Sequence, residues 1–289
     1  MTAAQTASRS TTALWRARRR SLKLVARYAA AIAIVVVFMF PVYWVFIMAF
    51  KTPEETFARP PVWIPADFQF DTFRSLFKDG GVGAIWTSLI TAGVSTAFAM
   101  FFGTICAYSL ARFRTGGSNL AIGIISQRMI PPIVIVFPVF LAYVFLRWID
   151  TFHGLIILYT AFNLPYVIWM MRGYIEDIPI ELEHSALVDG WSRWQVLLRV
   201  VFPLARAGLF ATAVFTFIFA WNDYIFALIL TRTEIVTFPV QLTVWFDPQS
   251  VFWAKIGAMS IMGTLPIFFA VLVFQRYMVR GISLGAVKG

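Results

Sequence analysis

Two ionisable side chains, Arg128 and Asp223, lie far inside long apolar stretches of the sequence. A charge at mid-membrane costs about 2.5–3.5 kcal/mol on insertion scales, so such residues normally face protein or water. Polar and helix-breaking residues accompany both charges. The candidate residues for a polar path are Gln127, Arg128, Pro132, Asn163, Asn222, Asp223 and Tyr224. This set predicts an irregular, water-accessible interior through which a polar solute passes.

Each of these residues also has a structural explanation. Arg128 and Asp223 could pair with each other or cap broken helices, and the amides could bond neighbouring helices. The Pro131-Pro132 pair removes two backbone donors and must bend or unwind its helix. Such breaks are tolerated at membrane depth where the backbone lines a cavity or packs against protein. We expect comparable breaks at Asn163-Leu164-Pro165 and at Trp221-Asn222-Asp223.

The chain contains no recognisable catalytic or metal-binding pattern. It lacks Gly-x-x-x-x-Gly-Lys-Ser/Thr, His-Glu-x-x-His and Gly-x-Ser-x-Gly, which bind phosphate, bind zinc and present a nucleophilic serine. Its only histidines, His153 and His184, are far apart, and Cys106 is its single cysteine. We therefore expect no catalytic residue, no metal site and no cofactor here. If ATP drives the protein, ATP and Mg²⁺ must bind another chain.

The composition requires a membrane around the elements that carry these residues. The 289 residues are 60% hydrophobic and only 13% charged, with a mean hydropathy of +0.77. Soluble domains are typically about 45–50% apolar and about 25% charged. Unbroken apolar stretches of about 20 residues favour spanning helices over the short alternating strands of a barrel. These values exclude a soluble enzyme, a disordered regulator and a disulfide scaffold.

Apolar run length predicts an all-α polytopic membrane protein with six transmembrane helices. The predicted spans are 25–50, 83–111, 118–147, 154–174, 207–231 and 255–279. A long inner loop, 176–206, separates the fourth span from the fifth. The chain therefore divides into a basic N-terminal tail, 1–24, a transmembrane domain, 25–282, that includes this loop, and a C-terminal tail, 283–289.

The net charge of +10 is distributed unevenly among the loops. Sixteen of the 24 Lys and Arg residues fall in the two tails and in the loops after the second and fourth spans, and seven fall in the alternate loops. By the positive-inside rule, both termini lie in the cytoplasm. The basic excess also attracts anionic lipids of the bilayer. We expect no nucleic-acid partner, because nothing suggests a folded basic domain with base-stacking aromatic residues.

The inner loop predicts two short amphipathic helices at the cytoplasmic surface. Pro179 followed by Glu181 suits a helix start, and Asp189-Gly190 suits a stop and a turn. Ser192 can cap a second helix, which Pro203 would end before the fifth span. The pair could lie on the membrane surface or could be the docking point of a soluble partner.

This loop resembles the cytoplasmic "EAA" loop of ABC-importer permease subunits, in which Glu-Ala-Ala precedes a Gly and a distal Pro. The run from Ile178 to Leu204 resembles its form in carbohydrate-uptake, maltose-type importers. Other stretches that resemble that branch are Arg128-Met129-Ile130-Pro131-Pro132, Trp221-Asn222-Asp223-Tyr224-Ile225-Phe226-Ala227-Leu228 and the tail from Gly281 to Gly289. The likeness covers about residue 25 to the end. It departs at His184-Ser185-Ala186, which replaces Glu-Ala-Ala, and at Asp223, where Glu is frequent.

The resemblance implies a type I ABC importer permease fold in the bacterial inner membrane. It implies import of a sugar, glycoside or polyol from a periplasmic binding protein, through a heterodimer with a second permease, above a cytoplasmic ATPase dimer. The ATPase-coupling residues would be Glu181, Glu183, His184, Ser185, Ala186, Asp189, Gly190, Trp194 and Pro203, with Val287 and Lys288 of the tail at the ATPase interface. His184 could make a weaker or pH-dependent contact than Glu, or Glu183 could substitute for it.

Two other classes of protein are compatible with some of the residues. An ion-coupled secondary transporter would use Asp223 as its ion-linked carboxylate. It would leave the amphipathic inner loop unexplained, and no inverted repeat is evident. A purely structural membrane subunit would leave the broken, polar spans without a reason.

Overall fold

The computed structural model describes the backbone of residues 3–113, 115–246 and 252–285, and the side chains of residues 23–113, 115–117, 119–246 and 252–275. The described chain is built of helices. It divides into two compact units, residues 1–69 and residues 70–289, and each is considered by itself.

The first unit consists of one long helix and an outer loop. Helix α1, Ala3–Met48, contains the first predicted span and continues through Pro41. After it, Thr52 and Glu55 form a capping box at the short helix α2, Pro53–Phe57. The loop then returns to α1, where the Tyr43 hydroxyl donates a 2.6 Å hydrogen bond to the carbonyl of Trp63.

The second unit contains the remaining helices. They are α3 Asp71–Lys78, α4 Gly81–Phe113, α5 Gly117–Ser126, α6 Pro132–Leu146, α7 Phe152–Glu176, α8 Glu181–Val188, α9 Arg193–Val196, α10 Phe202–Leu204, α11 Arg206–Trp221, α12 Ile225–Leu230, α13 Phe238–Val244 and α14 Trp253–Gly285. A 3₁₀ turn, Gln127–Met129, follows α5, and a π-helical turn, Leu197–Val201, joins α9 to α10.

The core of this unit is the contact between α4 and α7. Small residues such as Ala99 and Gly103 face α7 and bring the two backbones close together. Lipid tails are as apolar as the side chains, so helices in a membrane associate through close packing rather than through exclusion of water. Helix α11 packs against α4, α7 and α14.

The helices agree with most of the predicted spans. Lys23–Met48, Gly81–Phe113, Phe152–Glu176 and Trp253–Gln275 are single helices long and apolar enough to cross a membrane. The third span is α5 followed by α6, bent by 90°, which confirms the predicted break at Pro131-Pro132.

Of the other two predicted breaks, one was wrong and one is confirmed. Helix α7 passes through Pro165 without interruption, because a single proline removes only one backbone donor, the one that would serve the carbonyl of Ala161. The fifth span, predicted over 207–231, is interrupted where the sequence predicts a break, at Trp221-Asn222-Asp223. It is α11, a break at residues 222–224 and the short α12, and α11 is itself bent by 79° from the preceding Arg193–Leu204 segment.

We expect Gly103→Ala to lower the stability of the protein by about 1–3 kcal/mol, because an overpacked core must shift. The added Cβ would lie 2.6 Å from Cγ1 of the buried Val167. Gly93→Ala, on the same helix, is the matched control, since its Cβ would meet no atom within 4 Å. The measurement is thermal unfolding of the purified protein in detergent. Equal melting temperatures for the two variants would contradict close packing at Gly103.

Candidate functional site

The break in the third span places Arg128 beside the middle of α7. Its Nη1 donates to the carbonyl of Phe162 at 2.9 Å and to Oδ1 of the buried Asn163 at 3.3 Å. The guanidinium carbon lies 5.1 Å from the ring centre of Phe162 and 4.8 Å from that of Phe219. Among the described residues, no carboxylate forms an ion pair with Arg128. Carbonyl oxygens and aromatic faces therefore compensate this charge.

The break in the fifth span places Asp223 beside Tyr159, on the same face of α7 as Asn163. Its Oδ2 accepts hydrogen bonds from the Tyr159 hydroxyl at 2.9 Å and from the Ala227 N–H at 3.2 Å. The carboxylate thus satisfies a donor at the start of α12, in the manner of a helix cap. Of the two structural explanations, capping holds for Asp223, whereas pairing of Asp223 with Arg128 was wrong.

A cavity of about 460 Å³ lies between the two breaks. Its lining includes five of the predicted path residues: Arg128, Asn163, Asn222, Asp223 and Tyr224. Gln127 and Pro132 are absent from the described lining, although Pro132 begins α6 and so fixes the break. Five polar side chains thus surround the space between the two breaks.

Aromatic residues of this lining were missed in the sequence. They are Tyr159, Phe162, Phe219 and Phe226. One signal was available for Tyr159, which lies four residues before Asn163 and therefore on the same face of α7. The Nδ2 of Asn163 donates to the Tyr159 carbonyl at 3.0 Å, so this helix face carries both a polar and an aromatic contribution.

Asp150, in the loop between α6 and α7, anchors the far ends of α6 and α12, which are the outer halves of the two broken spans in the orientation that the sequence predicts. Its carboxylate accepts hydrogen bonds from the four consecutive N–H groups of residues 232–235, which follow α12. Its own N–H donates to the carbonyl of Leu230 at 2.7 Å. Partial burial opposes the charge, but the four N–H donors outweigh it and lower the pKa of Asp150. The outer halves α6 and α12, which also pack on each other, are therefore joined at their ends.

The inner loop folds as the sequence predicts. Helix α8 ends in a turn at Asp189 and Gly190, where Gly190 has a φ of +86° that favours glycine. Ser192 and Gln195 form a capping box at the start of α9. The chain then turns through 79° after α10, which contains Pro203. These features confirm the two predicted short helices, the turn and the cap.

The predicted coupling residues occupy opposite faces of α8. Glu181, His184 and Ser185 are exposed, as are Asp189, Gly190 and Trp194 beyond the helix. Glu183 and Ala186 are buried. The suggestion that Glu183 substitutes for His184 at the surface was therefore wrong. Val287 and Lys288 lie outside the described residues.

Residues 99–283 match the family described as the inner membrane component of binding-protein-dependent transport systems. The chain belongs to this family. It is an integral membrane protein and a permease subunit of an ABC importer. In such importers a separate chain hydrolyses ATP.

Three comparisons illustrate the relationship. The permease is 37% identical to the trehalose transport system permease protein SugB of Mycobacterium tuberculosis over 257 residues, 87% of this chain and 93% of SugB. It is 32% identical to the diacetylchitobiose uptake system permease protein DasC of Streptomyces coelicolor, over 90% of this chain and 95% of DasC. The same fold occurs in the crystal structure of a bacterial ABC transporter involved in the import of the acidic polysaccharide alginate. One chain of that structure matches with a TM-score of 0.72 and 23% identity, over 90% of this chain and 97% of that chain.

These findings confirm the predicted all-α type I importer permease fold. They also leave the two rival classes, an ion-coupled secondary transporter and a purely structural subunit, without support. A component of such a binding-protein-dependent system works with a second permease, an ATPase and a binding protein.

We expect Asp150→Asn to destabilise the permease by about 1–2 kcal/mol at neutral pH, because four N–H groups lose a charged acceptor. The pKa of Asp150 is lowered in the folded state. Its contribution is therefore complete above the unfolded pKa of about 3.9 and disappears as the pH falls through the folded pKa. Melting temperatures of both proteins should converge at low pH. The exposed Asp67 supplies the control, Asp67→Asn, and a gap between wild type and Asp150→Asn that persisted at the lowest pH would contradict the role of this charge.

Proposed function

We propose that this permease carries a sugar, glycoside or polyol through the cavity between the two helix breaks. The observation that carries the proposal is the lining of that cavity, which combines a cation, a carboxylate, two amides and several aromatic rings. Small-molecule sites commonly have volumes of about 300–1,000 Å³ and a few convergent polar groups, and this cavity has about 460 Å³.

The chemistry of the lining suits a polyhydroxylated solute. Asp223 can accept hydrogen bonds from hydroxyl groups, and Asn222 and Asn163 can both donate and accept. The described bonds of Arg128 use only Nη1, so Nε and Nη2 can donate to hydroxyl oxygens. The apolar C–H faces of a sugar ring can pack on Phe162 and Phe219. The names of SugB and DasC, which refer to trehalose and diacetylchitobiose, support a carbohydrate solute.

The partners follow from the same assignment. A second, different permease subunit would complete the pore, and a periplasmic binding protein would deliver the solute on the outer side. A cytoplasmic ATPase dimer, with ATP and Mg²⁺, would bind beneath. Both termini would lie in the cytoplasm of a bacterium, with the permease in the inner membrane, which agrees with the charge distribution of the loops.

The exposed surface of the inner loop would receive the ATPase. Glu181, His184 and Ser185 are its polar part, and Trp194 and Val188, which is 87% exposed, are its apolar part. Val287 and Lys288 would add contacts from the C-terminal tail. Closure of the ATPase dimer would move α8, and the spans would rotate so that access to the cavity alternates between the two sides.

The first test is affinity purification of the permease in mild detergent with identification of the chains that accompany it. We expect an ATPase and a second permease. Val188→Asp should reduce the recovered ATPase about tenfold or more, because an unpaired charge in an apolar contact costs several kcal/mol. Val188→Ile keeps the surface apolar and should retain the ATPase. Purification of the permease alone would refute the importer assembly, and undiminished recovery with Val188→Asp would refute the assignment of this surface.

The second test addresses the cavity. Arg128→Gln should reduce uptake about tenfold, equivalent to about 1.4 kcal/mol, through the loss of hydrogen-bond donors. Uptake is measured with radiolabelled trehalose, maltose and diacetylchitobiose, and the recovered ATPase is measured in parallel to show intact assembly. Arg74→Gln is the matched control, because Arg74 has an 86% exposed side chain on α3. If Arg128→Gln supported normal uptake, the cavity would not be the path.

A further inference from the structure

Glu183 is a buried carboxylate on α8, a helix most of whose residues are exposed. Its side chain is 1% exposed, although its neighbours Leu182 and His184 are exposed. Ionised groups are costly to bury unless they are paired and hydrogen-bonded. The position of Glu183 therefore requires an explanation from the residues around it.

Three donors on α4 satisfy Glu183 and the turn that precedes it. Arg112 donates from Nε to Oε1 of Glu183 at 2.5 Å and from Nη2 to the carbonyl of Ile178 at 2.9 Å. The Tyr108 hydroxyl donates to Oε2 of Glu183 at 2.8 Å. Tyr108 and Arg112 are four residues apart, so one face of α4 presents both groups. The Arg112 side chain is only 7% exposed, and the ion pair is thus shielded from water.

The surroundings of this ion pair make the link rigid. Ala186 of α8, Tyr108 of α4, Met171 and Ile175 of α7 and Val196 of α9 belong to one buried apolar cluster. The guanidinium of Arg193 on α9 lies 5.4 Å from the ring centre of Phe113 at the end of α4. The inner ends of α4 and α7 and the two loop helices therefore form one packed body. Within it the Glu183 carboxylate is the point at which α8 is fastened to α4.

We propose that Glu183, Arg112 and Tyr108 are positioning residues that form a strut between α8 and α4, and that this strut transmits displacement of α8 to the membrane-spanning core. The proposal rests on the proposed function, in which α8 meets the ATPase. The two neighbouring residues then have separate tasks. His184 faces the partner, and Glu183 faces the interior and makes α8 move together with α4, which packs along α7 over much of its length.

The strut is tested by the amount of sugar moved per ATP hydrolysed in proteoliposomes that contain the co-purified complex and its binding protein, with trehalose as the first probe. Glu183→Gln and Arg112→Gln should each lower this ratio about tenfold or more, since each leaves a buried charge unpaired. The double variant should be no worse than the single variants, because both remove the same interaction. Recovery of the ATPase with the permease should be unchanged, whereas a merely structural role would reduce assembly, hydrolysis and transport together.

Two further variants make the result specific. Glu176→Gln is the matched control, because Glu176 is 46% exposed and forms an i,i+4 ion pair with Arg172 at the inner end of α7. It should keep the wild-type ratio. Tyr108→Phe removes one hydrogen bond and leaves the ion pair, so it should lower the ratio by a smaller factor. This variant decides the question if Glu183→Gln does not assemble. Any of three results would overturn the strut. The first is a wild-type ratio in Glu183→Gln, and the second is an equal loss in Glu176→Gln. The third is an assembly defect in Glu183→Gln together with a wild-type ratio in Tyr108→Phe.

A second readout separates the strut from the proposed function. If the wild-type complex moves no trehalose, maltose or diacetylchitobiose, the solute assignment fails. Hydrogen exchange then still tests whether Glu183 fastens α8 to α4. Amides of residues 181–190 in the purified complex should exchange about tenfold or more faster in Glu183→Gln than in wild type, because α8 is released from α4. They should be unchanged in Glu176→Gln. Equal exchange in wild type and Glu183→Gln would overturn the proposal.

Discussion

Every backbone polar group inside a membrane must find its hydrogen-bond partner within the protein, because the lipid offers none. This constraint explains the pairing of charges with helix breaks. Arg128 donates to a carbonyl of α7 beside Pro165, and Asp223 accepts from an N–H at the start of α12. Asp223 satisfies a backbone group that an interruption leaves exposed, and Arg128, at the other interruption, is held by a carbonyl of the unbroken α7. The interruptions in turn create the space in which the polar ends of these side chains converge. The cavity and the irregular backbone are therefore two results of one arrangement.

The two charges do not neutralise each other, and this separation matters for a transport path. A close Arg–Asp pair would saturate both groups and leave little hydrogen-bonding capacity for a solute. Here the cation is held by carbonyl oxygens and aromatic faces, and the carboxylate by a hydroxyl and an amide. Both remain next to the cavity. The outer halves α6 and α12 are fastened at their far ends by Asp150, which helps to position the breaks.

The sequence predicted those features that depend on local rules. Apolar run length located the spans, Pro131-Pro132 located the third-span break, and Ser192 with Asp189-Gly190 located the cap and turn of the inner loop. It failed where a distant residue decides the result. Pro165 does not break α7, and Arg128, which donates to the Phe162 carbonyl in the preceding turn, lies 34 residues from Phe162 in the sequence. The aromatic lining was missed because phenylalanine and tyrosine are common in apolar spans and carry no local signal of which way they face.

The orientation of α8 shows the same limit of local information and its consequence for function. Glu181, Glu183 and His184 are all polar residues on an eight-residue helix, and helical spacing alone does not say which of them is buried. The deciding residues, Tyr108 and Arg112, lie more than 70 positions earlier, on α4. Two of the donors on α4, the Tyr108 hydroxyl and the Nε of Arg112, are satisfied by the carboxylate at position 183, and the side chain at position 184 then faces outward. A histidine is tolerated there because its side chain is exposed and, in the part of the chain that the structure describes, completes no buried hydrogen bond. Replacement of glutamate at position 184 therefore alters the surface of α8 while its attachment to the spans stays the same.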